Sequence, residues 1–485
     1  MKLNPIPPVV IIPAFIMTVL GVAYYAHSVA GFGLPIPWWD EGQFLWPAQS
    51  IARSNTLFTE HLNPNRPIFL MLMGYSIVLG FIFKILPLSL EVGRALSFAW
   101  IATSALLFGY IARKWSIRWL IWILISLFTI SRPFVVASNI IRPEAFCWLM
   151  VVVAMAAANV RPWLSLAVLF LMPLVHPNGV LFAAAGSGAA LLTWPHMKRL
   201  FHKSDWTWFA LVCFVWAIMA IHAAFCWNDF LKDISSSLFA YPEPILNKFQ
   251  RLLLNPEQSP YFFVAVGLAW FWKTRAPNRC WIAVLSATLL AVPAIRVQMW
   301  YAVYSAAGVL VSLSLLFLWI SEQSVFSTAQ RRIILAFLFL LTGWHLHRAD
   351  TIAGPRGYPY DMTWGWGMVT ETQDVPYITD QDRLLVAKTL LPLMSSNAPK
   401  RVHFYPEGDA FFFIEYSQNG LIGYQPVGGA PPADLVVFHE TRYIPKWAKN
   451  STSNLFGGAF TSQQIHSRDS TETWTLIRPI ATNTP

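Results

Sequence analysis

The stretch PWWDEGQF, residues 37 to 44, sets two adjacent carboxylates, Asp40 and Glu41, behind Trp38 and Trp39. A carboxylate at an aqueous interface can take the proton of a hydroxyl if its surroundings keep it ionised and within hydrogen-bond reach. The same pair also suits the first turn of a helix continuing into FLWPAQSIA, where free N–H groups and the helix dipole favour acidic side chains. A second candidate is SNIIRPEAF, residues 138 to 146. Its Pro143 and Glu144 read as a helix start, but Arg142, lying between two apolar segments, is better explained by an anionic partner. In LVHPNGVLF, His176 and Asn178 interrupt two apolar halves at a Pro–Gly break. His176 reads as a turn residue with a satisfied imidazole ahead of a metal ligand, since no second His is near in sequence, and the polar lining of a water-filled cavity is the intermediate reading. In IRVQMWYAVY, Arg296 precedes Trp300, Tyr301 and Tyr304. Arginine beside hydrocarbon needs lipid phosphate or an anionic ligand, and aromatic neighbours at headgroup level would position it for a lipid-linked phosphate.

The elements that must carry these residues are membrane helices. Of 485 residues 56% are hydrophobic and 12% charged, with a mean hydropathy of +0.48; soluble domains carry about 25% charged residues. Aromatic residues make up 15% of the chain, 24 of them Trp, which suits two lipid–water interfaces. The net charge of +10 is read as topology signals and attraction to anionic headgroups rather than nucleic-acid binding. The four cysteines, Cys147, Cys213, Cys226 and Cys280, lie in or beside apolar runs with no CxxC spacing, so neither a disulfide framework nor a zinc site is indicated.

Apolar runs of spanning or nearly spanning length occur at about 8–30, 92–112, 118–136, 144–159, 162–177, 178–195, 206–226, 260–273, 280–297, 299–320 and 333–347. The first is longer than the h-region of a signal peptide, about 7 to 15 residues, so an uncleaved helix is expected. Short basic connections at Arg113-Lys114 with Arg118, Arg161, Lys198-Arg199 with Lys203, Lys273 to Arg279, and Arg331-Arg332 would all be cytoplasmic, together with Lys2, by the positive-inside rule. This alternation requires segment 67–86 not to cross. Broken by Pro64 and Pro67 and ended by Pro87, it reads as a re-entrant or interface-lying helix inside one external loop, 31–91. The outer face then receives Asp40, Arg142, His176, loop 227–259, Arg296 and everything beyond about 347.

The expectation is an all-α polytopic membrane domain, residues 1–348, of about 11 spans plus the re-entrant helix. A small α/β extracytoplasmic domain, 349–485, follows the linker AGPRGYPYDMTWGWG. In it a helix is expected at 380–395 and strands at 401–407, 410–416, 434–440 and 473–479.

Taken in order, these motifs resemble the membrane-embedded GT-C glycosyltransferases that use polyprenyl-phosphate sugars, such as the aminoarabinose transferase of lipid A and the protein O-mannosyltransferases. The residues carrying the resemblance are Asp40-Glu41 in the first external loop, NRPIFLMLMG (65–74), Arg94 opening the next span in GRALSFAW, Glu144 in RPEAF, His176, and Arg296 with Tyr301. The family pattern more often has Asp at the Glu144 position, and a fuller KPP where this chain has NRP.

The resemblance implies inverting transfer on the extracytoplasmic side. Asp40 would be general base, with Glu41 and Glu144 as further carboxylates of the catalytic group. Arg296, Arg142 and Arg94 would hold the donor phosphate, and Trp39, His176, Asn178 and Tyr301 would line the cavity. The partners implied are a polyprenyl-phosphate sugar, a lipid, glycan or protein acceptor, and the bilayer, in a bacterial inner membrane with the N-terminus cytoplasmic. No cofactor is expected: some proteins of this fold use a divalent cation, but the sequence shows no dense acidic cluster for one. The rival readings are a lipid-linked-glycan transporter or flippase, whose charges would sit near the bilayer midplane, and an O-antigen-ligase-like transferase, which would lack a carboxylate directly after the first span.

Overall fold

The computed structural model describes residues 39–57, 73–113, 115–129, 131–231, 244–254, 258–295, 301–338 and 340. It also describes the strand residues 362–364, 368–369, 402–405, 435–439, 460–466 and 473–479. The run expected as the first span, 8–30, and Arg296 lie outside the described residues.

The helices are α1 (Trp39–Ser54), α2 (Gly74–Phe83), α3 (Leu90–Ala112), α4 (Arg118–Thr129), α5 (Arg132–Asn139), α6 (Pro143–Ala158), α7 (Pro162–Val175), α8 (Gly179–Leu192), α9 (Trp194–Arg199), α10 (Asp205–Phe225), α11 (Ile245–Leu254), α12 (Ser259–Trp272), α13 (Pro277–Ile295) and α14 (Ala302–Glu322). Segments 91–112, 205–225 and 302–322 are each long and apolar enough to cross a membrane. Local chemistry sets several starts. The Ser89 hydroxyl accepts the Val92 N–H at 3.2 Å at the head of α3, and proline occupies the first turn of α5, α6, α7 and α12, where its missing N–H costs nothing.

One expected span is divided. Residues 118–136 form α4 and then α5, with Ser131 extended between them at φ −71° and ψ 149°. Pro133 cannot prolong α4, because it has no N–H to donate and its ring would clash with the carbonyl four residues earlier.

Side-chain contacts sort the connections into two ends of one bundle. At one end Ser116 meets Ser321 at 2.8 Å, the Arg279 guanidinium grips Glu322 at 2.6 and 2.9 Å, Asn278 donates to Asn159 at 2.9 Å, and Arg161 donates to Ser204 at 3.1 Å. This end gathers connections that carry Lys and Arg. At the other end lie the starts of α1, α2, α3, α6, α8 and α14, with Asp40, Glu41, Arg142, Glu144, His176 and Tyr301. Helices α3, α4, α6, α7, α8, α10, α12, α13 and α14 run between the two ends in alternating directions.

Helix α14 is the axis of the bundle. Nearly every residue from Ala302 to Ile320 is buried, and it packs on α13 through small residues. The Ser286 hydroxyl bonds the Gly308 carbonyl and Ser312 at 2.8 Å each, and a Cβ on Gly308 would lie 2.6 Å from Leu290 Cγ. Small residues and hydroxyls at a helix contact are what close packing needs where lipid removes the hydrophobic drive between helices. Helix α10 has the opposite character, with Trp206, Phe214, Ile218, Ile221 and Phe225 exposed.

Helices α1 and α2 lie side by side and parallel. Phe44 meets Tyr75, Ala48 and Ile51 meet Gly80, and Asn55 meets Lys84. Helix α2 has 10 residues and rises about 15 Å, roughly half the thickness of a hydrocarbon core.

The strands of the C-terminal region are β1 (Met362–Trp364), β2 (Met368–Val369), β3 (Val402–Tyr405), β4 (Leu435–His439), β5 (Phe460–His466) and β6 (Thr473–Pro479). One sheet has the order β3-β4-β6-β5, with β3 and β4 parallel and the other pairs antiparallel. Strands β3, β4 and β6 fall on stretches expected as strands, whereas 410–416 and the helix expected at 380–395 lie outside the described residues. Strands β1, β2 and β5 fall outside the stretches expected as strands; β5, FTSQQIH, is a polar edge strand without a clear two-residue alternation.

Candidate functional site

The first turn of α1 carries Glu41, and the first turns of α3 carry Arg94. Both side chains are buried, at 0% and 1% exposure, and they meet in a two-pronged ion pair: Arg94 Nε to Glu41 Oε1 at 3.1 Å, and Nη2 to Oε2 at 2.9 Å. Glu41 Oε1 also accepts the Ile141 N–H at 2.8 Å. Ile141 belongs to the extended link between α5 and α6, where a backbone N–H has no helical partner. One carboxylate therefore pairs with Nε and Nη2 of an arginine and satisfies an otherwise orphaned amide, and ties α1, α3 and the α5–α6 link together. A buried charge is tolerable only when paired and hydrogen-bonded in this way.

A second pair sits at the head of α6. Arg142, extended at φ −143° and ψ 155° just ahead of the helix, reaches Glu144 through Nε to Oε2 and Nη2 to Oε1, both at 3.2 Å. Glu144 Oε1 also faces His176 Nε2 at 3.7 Å. His176 Nδ1 accepts the Asn178 N–H at 3.1 Å, so Nδ1 carries no proton and Nε2–H is the tautomer turned toward Glu144. The imidazole and Tyr301 rings make a T-shaped contact, with centroids 5.7 Å apart, and Tyr301 leads to Tyr304 at 5.9 Å. All of Arg142, Glu144, His176, Asn178 and Tyr301 are buried.

Aromatic residues support these pairs. The Arg142 guanidinium lies 5.7 Å from the Phe44 ring. Phe44 meets Tyr75 edge-on at 5.4 Å, Tyr75 meets Trp100 at 5.5 Å, and Trp100 meets Phe146 at 5.0 Å. Thus α1, α2, α3 and α6 each give one ring. Sequence reasoning missed Tyr75, which lies within electrostatic reach of Glu144, Glu41 and Arg142. Its signal was a polar-tipped aromatic directly after the Met73-Gly74 break of an otherwise apolar segment.

The corner holding His176 depends on two glycines. A Cβ on Gly74 would stand 2.4 Å from the Leu174 carbonyl oxygen, and one on Gly179 would stand 2.2 Å from the Met172 carbonyl carbon. Both approaches are to backbone, which cannot move aside cheaply.

Of the residues expected in the site, Glu41, Arg94, Arg142, Glu144, His176, Asn178 and Tyr301 gather at this one end of the bundle. Trp39 and Asp40 are the first two residues of α1, immediately before Glu41; their side chains lie outside the described residues, as does the whole of Arg296. The chain positions that bracket Arg296, Ile295 at the end of α13 and Tyr301 at the head of α14, belong to the same end. Within the described cluster Glu41 balances Arg94 and Glu144 balances Arg142. Among the described residues no three His, Cys, Asp or Glu side chains converge to hold a metal ion, and both Glu144 oxygens already face Arg142.

No protein-family model matches the chain, and no curated protein matches it. Among solved structures, it is similar to the crystal structure of ArnT from Cupriavidus metallidurans in the apo state. That match covers 84% of this chain and 74% of the other, with 13% sequence identity and a TM-score of 0.41. The similarity is one of fold alone, and the chemical reading rests on the buried cluster and the residues next to it.

Proposed function

We propose that this chain is a membrane glycosyltransferase of the GT-C type. It moves a sugar from a polyprenyl phosphate to an acceptor hydroxyl, with inversion, on the side of the membrane opposite its basic connections. The observation that carries this reading is the buried assembly of Glu41–Arg94 and Arg142–Glu144–His176 at one end of an apolar bundle, with Asp40 next in sequence to Glu41. The placing of charge at a bundle end also favours an enzyme over a transporter, whose charges belong near the midplane. By the positive-inside rule the basic end is cytoplasmic. The cluster then faces the extracytoplasmic side of a bacterial inner membrane, where a donor anchored by its isoprenoid chain is the available form of activated sugar.

In this proposal Asp40 accepts the proton of the acceptor hydroxyl as the oxygen attacks the anomeric carbon and the bond to phosphate breaks. Asp40 stands at the start of α1, where the helix dipole favours its ionised form. Glu41 and Arg94 occupy each other, so their part is to hold the head of α1 in place, a positioning role. Arg142 and Arg296 supply positive charge to the leaving phosphate. Glu144, with the His176 Nε2–H turned toward it, keeps Arg142 oriented until the donor arrives. Trp39, Asn178 and Tyr301 line the cavity.

The test uses cells lacking the protein. Their envelope glycans should lose one sugar modification, which the wild-type chain restores and Asp40→Asn, expressed at equal level, does not. Full restoration by Asp40→Asn would remove Asp40 from the chemistry, and an unchanged glycan profile in the deletion strain would count against the transferase reading itself.

A further inference from the structure

At the end of the bundle opposite the polar cluster, α9 and the turn that follows it form a rigid corner rich in unbalanced positive charge. The Trp163 indole N–H donates to the Met197 carbonyl at 2.9 Å. The same ring meets Trp194 at 6.0 Å, Phe201 at 5.2 Å and Phe209 at 5.8 Å, and Phe201 meets Trp206 at 5.5 Å. This aromatic packing fixes the backbone from residue 194 to 206. Around Ser204, Arg161 donates to the hydroxyl at 3.1 Å and His202 Nδ1 lies 2.9 Å from it. Lys198, Arg199 and Lys203 are exposed beside them. The nearby carboxylate of Asp205 is turned inward, buried at 1% exposure, with Oδ2 accepting the His202 N–H at 2.7 Å. Among the described residues no carboxylate pairs with Arg161, Lys198, Arg199 or Lys203.

Exposed Trp194, Leu200, Phe201 and Trp206 flank these cations. Indole rings and leucine at the border of a bundle belong at the level of lipid carbonyls and upper chains. The cations are thereby held at the depth of the phosphate groups. From this combination of charge, rings and fixed backbone we infer that the corner formed by Arg161, Lys198, Arg199 and Lys203 is a docking surface for anionic phospholipid headgroups. It is separate from the site proposed for sugar transfer. The occupant is a lipid rather than a free anion, because the apolar rim would gain nothing from a small soluble phosphate.

The whole protein, purified in detergent, is assayed by native mass spectrometry and thermal unfolding with phosphatidylglycerol, phosphatidylcholine or inorganic phosphate added. Phosphatidylglycerol should be retained and should raise the unfolding temperature, while the other two should not. Since one basic residue at a membrane surface contributes roughly a fivefold change in affinity, Lys198→Gln/Arg199→Gln/Lys203→Gln should lower phosphatidylglycerol retention at least tenfold. Lys273→Gln/Arg275→Gln, at another connection of the same end, should retain it. Lys198, Arg199, Lys203 and Arg275 are exposed and Lys273 is half-buried over the Trp270 ring, so the folded state should be kept. Equal retention of phosphatidylcholine, equal stabilisation by inorganic phosphate, or a triple variant that holds phosphatidylglycerol as well as wild type would each overturn the inference.

Discussion

Glu41 accepts two hydrogen bonds from Arg94 and one from the Ile141 N–H while fully buried, so its charge is a matter of stability before chemistry. Glu41→Gln would leave Arg94 buried without its counter-charge, and breaking such a pair costs about 3–5 kcal/mol. Thermal unfolding in detergent should show that loss. A double variant, Glu41→Gln with Arg94→Met, should recover more than half of it, because the Gln oxygen still accepts the Ile141 N–H and no unpaired charge stays buried. His176 gives a second test at this scale. His176→Phe keeps a ring against Tyr301 but removes the acceptor for the Asn178 N–H, an orphaned buried donor worth about 1–3 kcal/mol of lost stability. The charged residues of the cluster were legible in the sequence because each is anomalous in its apolar setting. Their partners were not. Arg94 lies 53 residues from Glu41, and neither motif states which opposite charge it will meet.

At the scale of elements, the site depends on how closely the α7–α8 corner approaches α2. Gly179→Ala and Gly74→Ala would press a methyl group against backbone and should each cost about 1–3 kcal/mol, the usual range for overpacking. Gly188→Ala is the control. Nothing lies within 4 Å of its Cβ position, and the change within α8 should stabilise by up to about 1 kcal/mol. Most helix positions could be read from apolar run length and first-turn prolines. The break between α4 and α5 was marked in the sequence by Thr129, Ser131, Arg132 and Pro133, which a reading by run length alone passes over. Of the segment 67–86 expected as a re-entrant or interface-lying helix, the described residues form the short α2 beside α1, and residues 67–72 lie outside the described residues.

For the whole molecule, the short basic connections at 113–118, 161, 198–203, 273–279 and 331–332 must face one side of the membrane and the polar cluster the other. Lys203 belongs to the basic end, while Gln250 is exposed on α11, between the end of α10 and the start of α12. In a Cys213→Ala/Cys226→Ala background, a membrane-impermeant thiol reagent applied to intact cells should label Gln250→Cys. It should reach Lys203→Cys only after the membrane is opened. The alternating directions of the helices were legible because Lys and Arg recur in every other short connection. What the sequence could not supply was the assembly of Glu41, Arg94, Arg142, Glu144 and His176 across α1, α3, α6 and the α7–α8 corner, since helix packing is set by shape as well as by polarity. The most direct measurement of the central claim is release of polyprenyl phosphate by purified protein, given a panel of polyprenyl-phosphate hexoses and pentoses with a membrane extract as acceptor. Wild type should release it from at least one donor, and Asp40→Asn should bind that donor with similar affinity while releasing less than about one-hundredth as much, the scale of a lost general base. Release by Asp40→Asn at the wild-type rate would contradict the account.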